Sequence, residues 1–171
     1  AEKIYLTEKQ FNNDLFAGQS TAVNNRVQVW DRTPDNQGAI KPLLKKYNQP
    51  SSTTNTDMEV LATQKQVVPL IRLSEMYLIA VETTPSLSEA NALYKDYMLE
   101  CGVALDKDVF DGLNDRSGEL MAEYRREFFA EGQLFYTYKR NQVKDILWLE
   151  TQEMTEDDYI LWNCVNTEFN P

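Results

Sequence analysis

A mainly α fold with a small extended portion is predicted by three features of the sequence. From Pro69 onward apolar residues recur three and four positions apart, Thr7-x-x-Gln10 and Ser86-x-x-Glu89 are helix-opening boxes, and Gly18, Gly102 and Gly132 follow apolar runs as stops. With 171 residues, 42% of them hydrophobic, the chain can bury one compact core. Residues 1–57 read as a mixed helix, strand and loop portion, and residues 58–171 as a helical region.

Taken in order, Phe11, Leu15 and Phe16 share one face of a short helix that Gly18 ends. The alternation Arg26-Val27-Gln28-Val29-Trp30 predicts a half-buried strand. Pro34 to Gly38 is a turn, and residues 40–47 return as a second strand that Pro42 confines to an edge. Residues 50–57 carry no apolar side chain and form a polar loop. A helix starts near Pro69, buries Leu70, Leu73, Met76, Tyr77 and Ala80, and ends before Pro85. The next runs from Ser86 to Gly102 and turns Ala90, Leu93, Tyr94, Tyr97 and Cys101 inward. Their short connection makes them antiparallel.

After a loop at 103–116, a third helix from Ser117 to Glu131 presents Leu120, Met121, Tyr124 and Phe128. Gly132 breaks it, and a fourth from Gln133 to Asn141 carries Leu134, Phe135 and Tyr138, with Tyr136 a further candidate for its buried face. Two such pairs in tandem are tetratricopeptide-like hairpins, which stack because one hairpin cannot bury its own apolar face. The repeat signature of Trp, Leu-Gly and Tyr at fixed offsets is absent, so the likeness is one of architecture. Beyond Val143 the chain reads as an irregular C-terminal wrap. Gly132→Val is expected to unfold the domain, because the corner needs positive φ.

Composition excludes several function classes. The net charge of −10 leaves no basic stripe for phosphate, so no nucleic-acid partner is expected. The absence of histidine removes Ser-His-Asp and Cys-His chemistry and imidazole zinc sites, and no motif implies a cofactor or a metal. Cys101 and Cys164 lack CxxC spacing; buried free thiols and a single disulfide both stay open. No apolar run reaches membrane-span length and Ala1 opens no signal peptide, which fits either a cytosolic chain or an exported one whose leader is removed.

Two stretches are more specific. Arg72-Leu73-Ser74-Glu75, an aliphatic run and the closing Glu82 form the first. Glu123-Tyr124-Arg125-Arg126-Glu127, then Glu131-Gly132 and an aromatic helix ending in Lys139-Arg140, form the second. In order and spacing these blocks resemble the SusD/RagB family of outer-membrane nutrient-binding lipoproteins. Lys45-Lys46-Tyr47-Asn48 and the stretch from Met154 to Glu168 are similar to further family segments, so the resemblance covers most of residues 40–171. Tyr124, Leu134 and Thr137 stand where the family often has Arg, Arg and Asp. The resemblance implies a C-terminal portion of a non-catalytic protein on the cell-surface side of the outer membrane, lipid-anchored through an N-terminal region absent from this chain. It also implies capture of a glycan or other small nutrient for a SusC-like TonB-dependent barrel.

Candidate ligand contacts are Trp30 with neighbouring Arg32, Tyr47 and Trp162, since flat aromatic faces stack on sugar rings. Arg72, Glu75, Glu82, Arg125, Arg126 and Glu127, with Gly132 at the corner, read as structural: carboxylates four apart with arginines between them make ion pairs within and across helices. The carboxylate pairs Asp57/Glu59 and Asp157/Asp158 would be needed by a glycan hydrolase, but adjacent loop acids read as solvated. The alternative is a generic helical-repeat module that binds peptides or proteins between hairpins.

Overall fold

The computed structural model describes residues 5–45, 71–148 and 153–160. It is mainly helical with one two-stranded sheet. Four α-helices are described: α1 (Leu73–Thr83), α2 (Leu87–Glu100), α3 (Leu113–Glu127) and α4 (Leu134–Asn141). The chain divides into two units, with the boundary between Glu127 and Phe128. The boundary expected at residue 57, the polar loop at 50–57 and the start at Pro69 lie outside the described residues.

In the first unit the opening box closes as expected. Thr7 N donates to Gln10 Oε1 at 2.9 Å and Gln10 N to Thr7 Oγ1 at 3.1 Å. The helix that follows is π-helical over Gln10–Leu15, with Phe16 N bonded to Phe11 O at 3.0 Å. That wide turn brings Phe11 and Phe16 together, ring centroids 4.8 Å apart, and both are fully buried.

The expected strand at 26–30 is mostly a 3-10 helix, Asn25–Val29. Its reason is local: the Asn24 side chain accepts from Arg26 N at 3.1 Å, and Val27 N bonds back to Asn24 O at 3.0 Å. Extended structure survives as β1 (Trp30–Asp31), antiparallel to β2 (Leu43–Leu44) with Trp30 opposite Leu44. Between them the predicted turn forms, its Asp35 carboxylate accepting from Gln37 N and Ala39 N, both at 2.9 Å.

Three residues join α1 to α2, and α1 packs against both α2 and α3. The face α1 buries differs from the expected one: Leu78 and Val81 are fully buried, whereas Leu73 is 73% and Met76 42% exposed. Residues 76–81 are apolar on every side, so periodicity could not choose the face; contact with two helices did. The α2 expectation holds, with Ser86 Oγ accepting from Glu89 N at 3.2 Å and Ala90, Tyr94 and Tyr97 inside. Asn91 joins them, accepting from Val109 N and Phe110 N and donating to Phe110 O, all at 2.9 Å. It satisfies the backbone of a loop that would otherwise carry orphaned groups.

Helix α3 spans Leu113–Glu127 instead of residues 117–131. It starts at once after Gly112, and beyond Glu127 the backbone turns left-handed at Ala130 (φ 61°) and Gly132 (φ 75°). The second expected pair is therefore divided, α3 lying in the first unit and α4 in the second. Within the second unit Phe129 meets Trp148 edge-on at 6.1 Å and Phe135 lies 5.9 Å from Tyr159. Tyr138 is buried, but Tyr136 is 64% exposed. The C-terminal wrap contains a 3-10 turn, Asp157–Tyr159.

Two glycines with positive φ differ in what surrounds them. A Cβ at Gly102 would lie almost on the Val23 carbonyl oxygen, while no atom stands within 4 Å of one at Gly132. Gly132→Val thus meets backbone strain in open space, not a clash. Gly132→Ala is expected to cost the ~1–2 kcal/mol of a left-handed L-residue, and Gly102→Ala clearly more. Urea denaturation of the two variants checks the order; equal midpoints would show that the 23–25 segment yields freely.

Candidate functional site

Where the start of α1 meets the ends of α2 and α3, the first unit holds a cleft of about 630 Å³. Its floor is a buried ionic cluster centred on Glu123, whose side chain is fully buried. Arg26 and Arg126 both pair with this carboxylate, and Gln19 Nε2 donates to it. Two guanidinium charges on one carboxylate leave an excess of positive charge, which fixed oxygens absorb. Arg26 donates to Gln19 Oε1 at 2.7 Å, to Asn24 Oδ1 at 3.1 Å and to Tyr97 Oη at 3.0 Å. Arg126 donates to Leu15 O at 2.7 Å and Ala17 O at 3.3 Å, and lies 3.5 Å from Glu119.

The electrostatics follow from this closure. Burial alone would push the Glu123 carboxyl up; Arg26 and Arg126, with hydrogen bonds from Arg26 and Gln19, more than offset it and hold it below the ordinary carboxylate value. Burial would likewise weaken the Arg26 charge, but Glu123 keeps it raised above its usual value. Tyr97 and Cys101 are both pushed up by burial first, with the charge of Glu123 adding to it. Each group is fixed more firmly in its ordinary protonation state.

Above the floor, Glu127 joins three elements. It lies 3.7 Å from Arg72 Nη1, accepts from Ser74 Oγ at 2.7 Å and from Tyr97 Oη at 3.3 Å. Arg72 is the N-cap residue of α1 and makes no capping bond with its side chain. Val29, Leu73 and Tyr77 supply apolar wall, and Glu100 also lines the cleft. Cys101 carries a free thiol; Cys164 lies outside the described residues.

Of the residues singled out from sequence, Arg72, Arg126 and Glu127 meet at this cleft. Glu82 accepts from Tyr124 Oη at 2.7 Å elsewhere on α1, and Glu75 and Arg125 are half-buried. Trp30 is turned inward, 5% exposed, with its ring edge-on to Phe11 at 5.3 Å, so it offers no open face. Arg32 is half-buried with its guanidinium 5.2 Å from the Phe11 ring centre. Tyr47 and Trp162 lie outside the described residues. Sequence reasoning missed Gln19 and Arg26 as partners of Glu123, and Asn24 as the residue that holds both of them, because 97 residues separate Arg26 from Glu123 and no spacing rule spans that distance.

Among the described residues no group of three or more metal-ligating side chains occurs, and no helix is long and apolar enough to cross a membrane. The model of the SusD family matches residues 3–168. No curated protein matches the chain, and no solved structure does.

Removing the central carboxylate should expose the cost of the cluster. Glu123→Gln leaves two buried guanidiniums without their counter-ion, an effect worth about 3–5 kcal/mol. Because the Glu123 pKa is lower folded than unfolded, its contribution is complete above the unfolded value of about 4.3 and fades as pH falls through the folded value. Thermal melts between pH 3 and 7 are expected to show the parent losing stability on that acid side, with a shallower slope in Glu123→Gln. Parallel slopes would remove Glu123 from the acid response.

Proposed function

The chain belongs to the SusD family, and we propose that it captures an extracellular glycan for import through a SusC-type TonB-dependent barrel. At the coarser level the family is one of nutrient-binding surface proteins, generally without catalysis. The observation that carries the proposal is the extent of the match, which runs from residue 3 to residue 168 and includes both motif blocks. In this reading the chain turns nothing over and sits at the cell-surface side of the outer membrane, held by a lipid anchor. The ligand contacts we assign are Arg32, Tyr47 and Trp162, with Trp30 supporting Arg32 from beneath through Phe11.

A helical protein-interaction module is the second reading, favoured by the exposed apolar side chains Leu73, Met76 and Ile79 along α1. Affinity recovery of the tagged protein from gently solubilised outer membranes separates the two. Co-recovery of a TonB-dependent barrel is expected; recovery from the soluble fraction without one would favour the module. Tyr47→Ala and Trp162→Ala are each expected to weaken oligosaccharide binding about tenfold by titration calorimetry. Unchanged affinity in both would move the glycan site elsewhere.

A further inference from the structure

We infer that Arg32 selects a saccharide bearing an anionic group, a uronate carboxylate or a sulfate ester, over a neutral one. This rests on the glycan capture proposed above and names the chemistry of the ligand. The first observation is what Arg32 lacks. Among the described residues its guanidinium makes no hydrogen bond and no ion pair, and its Nε is sealed from solvent without a partner. Every other arginine is engaged: Arg26, Arg72 and Arg126 in ion pairs, Arg116 with Thr84 O, Arg125 and Arg140 in interactions of their own. In a chain of net charge −10, an arginine left over while carboxylates are abundant calls for a reason. Its acidic neighbours are committed elsewhere. Asp31 Oδ1 accepts from Thr33 N at 3.0 Å and from Thr33 Oγ1 at 2.7 Å. Asp35 Oδ1 accepts from Gln37 N and Ala39 N, and its Oδ2 lies 3.7 Å from Lys41 Nζ.

The second observation is how the group is held. Its central carbon lies 5.2 Å from the centre of the Phe11 ring. Phe11 is fully buried and braced by Phe16 at 4.8 Å and Trp30 at 5.3 Å, so the guanidinium rests on a fixed aromatic face. With Nε covered, Nη1 and Nη2 are the donors left to reach outward, and the turn that follows, residues 33–39, is exposed throughout. A planar fork with two open donors matches two oxygens of a carboxylate or a sulfate. The hydroxyls of a neutral sugar bring no charge to it. Because the ring beneath already orders the side chain, binding costs little of the freedom that a long, solvated arginine would lose.

The test is calorimetric titration of the full chain with trigalacturonate, its fully methyl-esterified form, a chondroitin sulfate tetrasaccharide and maltotriose. A charged saccharide is expected to bind at least about tenfold more tightly than the neutral ones, as one charge-assisted contact gives, and to lose that margin in high salt. Whether the uronate or the sulfated sugar shows the margin identifies the source of the anion. Arg32→Gln is expected to bring the charged saccharide down to the affinity of the ester. Arg32→Lys should keep only part of the margin, because an ammonium lacks the fork. Neither change orphans a protein partner, so both variants are expected to melt with the parent. Binding of no charged saccharide, equal affinity for charged and neutral ones, or a margin that survives Arg32→Gln would each overturn the assignment. Neutral saccharides bound as tightly as charged ones would keep glycan capture while removing this inference. Recovery from membranes without a barrel would remove the transport reading and leave the charge selectivity standing.

Discussion

Glu123 is a single carboxylate, wholly removed from water, between Arg126 from the next turn of its own helix and Arg26 from 97 residues earlier in the sequence. Burying an ion is expensive, and the cluster is stable only because each remaining hydrogen-bonding position is met. The second positive charge has no carboxylate of its own inside the core. It is spread over the carbonyls of Leu15 and Ala17, the amide oxygens of Gln19 and Asn24, and Glu119 nearer the surface. This requirement pins residues 15–26 to α3 with little freedom of register, and the π-turn that ends at Leu15 aims its carbonyl at Arg126. Apolar packing alone, through Phe11, Phe16 and Trp30, would tolerate several arrangements of the same segment.

The cleft inherits its shape from that pinning. Arg26 reaches Tyr97, Tyr97 reaches Glu127, and Glu127 reaches Ser74 and Arg72, so four elements are joined by side-chain contacts from floor to rim. The shifts at these groups all run toward keeping the ordinary charge state: Glu123 stays ionised, Arg26 stays protonated, and the Tyr97 and Cys101 protons are held. A catalytic site tends toward the opposite, with acid and base brought near the working pH. Rigid walls and fixed charges suit recognition, which accords with the binding role of the family.

Local structure is legible in the sequence wherever one residue satisfies its own neighbours. Thr7 with Gln10, Ser86 with Glu89, Asp35 in its turn, and the left-handed glycines at 102 and 132 act within a few positions. Local pattern and final structure differ where a distant partner decides. Arg26 to Trp30 alternates like a strand, yet Asn24 and the pull of Glu123 wind most of it into a 3-10 turn. Trp30 stands beside charged residues and looked accessible, but Phe11 covers it. The apolar belt of α1 gave no preferred face until two helices packed on it.

The sequence by itself therefore determined the helical class, the position of the α1–α2 turn, the exclusion of histidine chemistry and, through two motif blocks, the family. Each of these depends on residue type and short spacing, which the chain carries without folding. Tertiary structure alone decided which charges meet. Glu119, Glu123 and Glu127 are equivalent acids on one helix in the sequence, yet the first is half-exposed, the second is sealed between arginines, and the third faces the cleft. Their difference comes from the desolvation each suffers and the partner that compensates it, and both quantities exist only once residues 15–26 have come to lie against α3.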